Sequence, residues 1–120
     1  MTEPVTDPAN EADLLDAWLA GGTTPPRSVI KEAVKESLAA LAERAPGHSV
    51  EVRIPPYAAI QCIEGPRHTR GTPPNIVEMD ARTWLALATG RLNWANAVGS
   101  GTVSASGSRA PEVGALLPLR

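Results

Sequence analysis

The chain reads as an α+β domain, with a mostly antiparallel sheet of about four to five strands covered by helices. Three observations carry that reading. A long segment from about Pro26 to Ala45 repeats apolar residues at spacings of three and four. Between Ser49 and Met79, short segments alternate apolar and polar residues. From Asp80 to Gly107 an apolar helix, glycine stops and a small-residue strand follow one another without a linker. A length of 120 residues allows one hydrophobic core and not a second.

Residues 1–9 are polar and proline-bearing and are expected to be a disordered tail. Asn10 can cap a short helix within residues 10–22, whose Leu14, Leu15, Trp18 and Leu19 form one stripe and which Gly21 and Gly22 end. So short a helix is not stable alone and must dock. The rest, 23–120, is the domain proper. After the TTPPR turn, Ile30, Ala33, Val34, Ser37, Leu38, Leu41 and Ala45 trace the buried face of the long helix. Lys31, Glu32, Lys35, Glu36 and Glu43 trace its wet face, and Pro46 and Gly47 stop it.

Ser49 to Ile54 alternates, with Val50, Val52 and Ile54 inward, until Pro55 and Pro56 remove two amide donors. Tyr57 to Glu64 is apolar on both faces, as a central strand would be. Asn75 to Met79 resumes alternation, with Val77 and Met79 in phase. Asp80 stands where a helix N-cap should, followed by Trp84, Leu87 and Ala88 on one side, with Leu85 widening the stripe. Gly90 can take the left-handed conformation that ends this helix, and Arg91 suits its negative end. Asn93 looks like the cap of a shorter helix in which Trp94, Ala97 and Val98 share a face. Thr102 to Ser106 alternates so that Val103 and Ala105 would point inward, and a last helical segment is expected from about Pro111 to Leu119.

Composition narrows the function classes. A net charge of −2 gives no nucleic-acid footprint. No long apolar span or charged-then-apolar leader is seen, which predicts a cytoplasmic protein without stable membrane insertion. Cys62 is the single cysteine, so neither an internal disulfide nor a cysteine-built metal site can form. With three Trp, one Tyr and no Phe, the core must be Leu, Val, Ile and Ala, and each Trp matters for packing.

Gly90, Arg91, Leu92, Ala97, Gly101 and Gly107 form a pattern that resembles the sterol carrier protein superfamily. The segment SVEVRIPPYAAIQCIEGPRHTRGTPPNIVEMD, with its paired prolines and its EGPRHTRGTPPN loop, is similar to that of the bacterial sterol-carrier-like orthologues. The resemblance covers roughly Arg27 to Leu119. It implies a tunnel between helices and sheet for fatty acyl chains, sterols or other apolar molecules. The chain departs from the wider family in strands interrupted by Pro55, Pro56, Pro73 and Pro74 and in Thr102, where a lysine often follows the glycine, so the implied tunnel is expected to be small or closed.

Candidate sites follow. Trp84, Leu85, Leu87, Leu92, Trp94 and Val98, with Leu116, Leu117 and Leu119, supply more apolar surface than two short helices need, and the surplus can line a pocket. The plainer reading is a filled core. In the 64–75 loop, Arg67, His68 and Arg70 can hold the acidic head of a ligand through bidentate guanidinium contacts; a solvated loop pairing with Glu64, Glu78 or Asp80 is the alternative. Cys62 lies between apolar neighbours, where a thiol packs as core filler. Neither HExxH, GxSxG nor a phosphate-binding glycine loop occurs, so the sequence calls for no catalytic residues, metal or cofactor. The expected function is noncatalytic carriage of a small apolar or amphipathic molecule. The rival is a protein-interaction or homodimerisation module that keeps the fold without an open tunnel.

Overall fold

The computed structural model describes residues 8–65 and 74–119. Among the described residues, four strands form one sheet: β1 (Val50–Ile54), β2 (Ala58–Cys62), β3 (Ile76–Glu78) and β4 (Ser104–Ser106). Their order is β2-β1-β3-β4. Four α-helices accompany it: α1 (Pro8–Leu19), α2 (Arg27–Arg44), α3 (Ala81–Ala88) and α4 (Trp94–Gly99), with a 3₁₀ helix over Ala110–Leu116. The α+β class holds.

The sheet is mixed rather than mostly antiparallel. β1 pairs antiparallel with β2, with Val52 opposite Ile60, but parallel with β3, with Val52 beside Val77. β3 and β4 are antiparallel. The hairpin puts β2 on one side of β1, and the chain then crosses to add β3 on the other side, running the same way as β1. β2 is therefore an edge strand and not a central one. Ala59 and Gln61 are exposed on it, so its apolar run reflects small side chains, not two covered faces.

One face of the sheet is dry. Val50, Val52, Ile54, Cys62 and Val77 are fully buried there, together with Val34, Leu38 and Leu41 of α2 and Trp84 and Leu87 of α3. The helical residues recur at spacings of three and four, which puts them on one stripe of each helix. The outward residues Glu51 and Arg53 form an ion pair across one turn of the strand pleat. α2 packs against β2 and α3, and α1 packs on α2 and α3.

Local differences from the sequence reading have simple causes. α1 starts at Pro8, whose missing N–H costs nothing in a first turn, so Asn10 lies inside the helix and is not its cap. Residues 1–7 of the expected tail lie outside the described residues. β4 is confined to Ser104–Ser106; Val103 is buried just before it, while Ala105, at the sheet edge, is exposed. Asp80 does cap α3, its Oδ1 accepting from the Thr83 amide at 2.9 Å, and Asn93 caps α4 through the Asn96 amide at 3.2 Å. Gly90, at φ 79°, ends α3 as expected.

Candidate functional site

Trp84 and Leu87 of α3 belong to the same buried cluster as Val50, Val52, Ile54 and Val77 of the sheet. Trp84 is 0% exposed and Leu87 1%, which leaves no water-sized space beside either side chain. The Trp84 indole spends its single donor on Ser37 Oγ at 2.7 Å. Leu92, Trp94, Leu116 and Leu117 are half-buried and pack on the core. Trp94 lies so close over Gly114 that a Cβ there would meet its ring at 2.5 Å. Val98 is 40% exposed and faces away. The pocket expected between sheet and helices around Trp84 is thus filled, because the large indole occupies the volume itself.

A cleft opens on the opposite side of the helical layer. It measures about 380 Å³ and lies between α1, α2 and α3, with Leu119 also lining it. From α1 come Leu15 and Leu19; from α2, Val29, Ala33 and Ala40; from α3, Leu85 and Ala88. Of the sequence-expected pocket residues, Leu85 and Leu119 line it. The width of the cleft follows from residue size: α2 and α3 present alanines at Ala33, Ala40 and Ala88 where leucines would have met α1.

Three ties hold the walls in place. Arg91, just past α3, pairs with Asp16 of α1 at 2.8 Å. Arg44 Nη1 donates to the carbonyls of Leu116 at 2.7 Å and Pro118 at 3.1 Å. The Leu119 amide donates to the Ala88 carbonyl at 2.9 Å, which fixes that side chain at the cleft. The two hydroxyls among the lining residues are already committed. Ser37 donates to the Ala33 carbonyl at 2.7 Å while accepting from Trp84, and Thr89 donates to the Leu85 carbonyl at 2.7 Å.

Charge is distributed unevenly around this apolar floor. Glu11, Asp16, Glu32 and Glu36 line the cleft, and among the described residues no lysine or arginine does. Arg67, His68 and Arg70 of the expected head-group loop lie outside the described residues. Cys62 is fully buried on the covered face of the sheet, and burial pushes its thiol up to about 11. Among the described residues, no three His, Cys, Asp or Glu side chains gather as a metal ion would require. Nor is any helix there long and apolar enough to cross a membrane.

The profile of the family described as bacterial SCP ortholog matches residues 26–119. The chain belongs to that family. No curated protein matched the chain in sequence. The segment shared with the bacterial SCP orthologs begins at α2 and runs to Leu119, so it contains the sheet, the core and two walls of the cleft. The third wall, α1, precedes it. Sequence reasoning had the stripe Leu15, Trp18 and Leu19 in hand and the need for that helix to dock. It could not see which alanines of α2 and α3 the stripe would face.

Proposed function

We propose that this bacterial SCP ortholog is a noncatalytic carrier of a small apolar or amphipathic molecule, held in the cleft between α1, α2 and α3. One observation carries the reading: a space of about 380 Å³ floored by aliphatic side chains whose neighbouring hydroxyls are internally satisfied. That volume is near the low end of the roughly 300–1,000 Å³ of small-molecule sites, which favours a short chain over a sterol. Membership of the family supports a lipid-like ligand. The noncatalytic character is supported by Cys62, whose buried, protonated thiol is a poor nucleophile.

Thermal unfolding with and without n-dodecanol tests the proposal. A ligand at 100 times its Kd adds about 2.7 kcal/mol, a rise on the order of 10 °C for a chain of this size. Ala33→Phe and Ala40→Phe, which fill the cleft from two positions on α2, should each abolish the shift. No shift with the wild type, or an undiminished shift in both folded variants, overturns the assignment.

A further inference from the structure

α1 is the most weakly seated wall of the cleft. Across residues 10–19 no side chain is fully buried: Glu11, Leu15, Trp18 and Leu19 are half-buried and the rest are exposed. α2, by contrast, buries Val29, Ile30, Val34, Leu38 and Leu41. Two exposed polar contacts join α1 to α3 and the turn after it: Arg91 pairs with Asp16 at 2.8 Å, and Arg82 Nη2 donates to the Trp18 carbonyl at 3.4 Å. Gly21, at φ 103°, and Gly22 close the helix, their amides donating to the Trp18 carbonyl at 3.0 Å and the Ala17 carbonyl at 2.8 Å. Residues 20–24 are exposed, and the chain is next anchored at the buried Pro25. The space of about 380 Å³ lies between this helix and the alanines of α2 and α3. Leu15 and Leu19 therefore face a gap on the side where packing would hold them, and side chains beside a gap forfeit their dispersion partners. A helix of 12 residues does not persist without docking.

We infer that α1 is a strap fastened by the ligand: in the free protein it opens locally from α2 and α3 about the turn at Gly21 and Gly22, and an apolar molecule filling the cleft supplies the contacts that hold it shut. This rests on the reading of the cleft as a ligand site and adds how that site is regulated. A ligand that needs Leu15 and Leu19 as part of its wall binds the docked helix and not the open one, so it draws the equilibrium toward the docked state by mass action. Opening leaves the core covered. Val34, Leu38 and Leu41 are fully buried on the sheet side of α2 and do not line the cleft.

Hydrogen exchange of the full chain, followed at the backbone amides of α1 and α2 with and without n-dodecanol, tests the strap, with titration calorimetry as the separate measure of binding. Without ligand, the amides of residues 14–19 should exchange more than about tenfold faster than those of Val34, Leu38 and Leu41, because they open without global unfolding. Dodecanol at ten times its Kd should slow the α1 amides by about tenfold. Arg91→Gln removes an exposed tie outside the cleft lining, so it should speed α1 exchange by up to about fivefold and leave α2 exchange as in the wild type. Amides of α1 and α2 exchanging at one common rate in the free protein, or an α1 rate unmoved while calorimetry shows dodecanol bound, overturns the strap and leaves the cleft as a site. Absence of dodecanol binding by calorimetry removes the site, and the strap with it.

Discussion

Trp84 Nε1 donates to Ser37 Oγ at 2.7 Å, and Ser37 Oγ in turn donates to the Ala33 carbonyl at 2.7 Å. The two residues are far apart in sequence, on α3 and α2, and their bond locks the largest core side chain to the helix that forms the cleft floor. Ser37→Ala leaves a fully buried indole N–H without an acceptor. The expected cost is about 1–3 kcal/mol, read as a fall in midpoint on chemical denaturation at constant slope. Ser37→Thr, which keeps the hydroxyl, should recover most of the loss. Equal midpoints for Ala and wild type would show that the bond contributes nothing.

Asp80 starts α3 with two bonds to one residue, Oδ1 to the Thr83 amide at 2.9 Å and Oδ2 to the Thr83 hydroxyl at 2.8 Å. Asp80→Ala should lower stability by about 1 kcal/mol, and Asp80→Asn, still a good cap, by less. Urea titration of the two variants checks the order. A larger loss for Asn than for Ala would contradict the capping account.

Cys62 gives a pH prediction. Its folded pKa of about 11 lies above the ordinary thiol value near 8.5, so at moderately alkaline pH the unfolded chain has lost the proton while the native one keeps it. With the unfolded state binding fewer protons, stability falls as pH rises through this window and is fully present below it. Cys62→Ala should flatten that part of the pH–stability curve. Alkylation by iodoacetamide near neutral pH should be slow in the native protein and fast in denaturant. Rapid native labelling would mean an exposed thiolate and contradict the buried, protonated thiol.

α1 is the wall that the family match leaves out, and it is held by Leu15 and Leu19 packing together with the exposed Arg91–Asp16 pair. Exposed pairs contribute about 0.2–1 kcal/mol, so Asp16→Asn should change the melting temperature little. Deleting residues 1–22 should leave a folded domain, since the sheet and the α2–α3 core remain, but should uncover Val29 and Leu85 and abolish the dodecanol shift. If the shortened chain still binds dodecanol while a self-association of the full chain disappears, the interaction-module reading replaces the carrier.

Several elements were legible in the chain itself because their causes are local. The α2 stripe from Ile30 to Leu41, the Val50–Val52–Ile54 alternation, and the caps at Asp80 and Asn93 all depend on neighbours within one turn or one strand. The family likeness was legible for the same reason, in the glycines and the proline-flanked strands. Strand order was not. Period-two alternation is identical for parallel and antiparallel partners, and nothing in it tells that β3 would join β1 and leave β2 at the edge. Ile63 shows the same limit: a β-branched residue at φ 70°, it ends β2 by turning its amide to the Ala45 carbonyl, a partner supplied only by the end of α2.

The site divides along the same line. Sequence determined that Trp84, Leu85 and Leu87 form an apolar face, that the N-terminal stripe must dock, and that a single cysteine can form neither an internal disulfide nor a cysteine-built metal site, since each follows from side-chain type and spacing. Only the tertiary structure decided where space remains. Whether an apolar face packs solid or leaves a void depends on the volumes of side chains brought together from distant segments. Trp84 fills the sheet side, while Ala33, Ala40 and Ala88 leave room beneath α1.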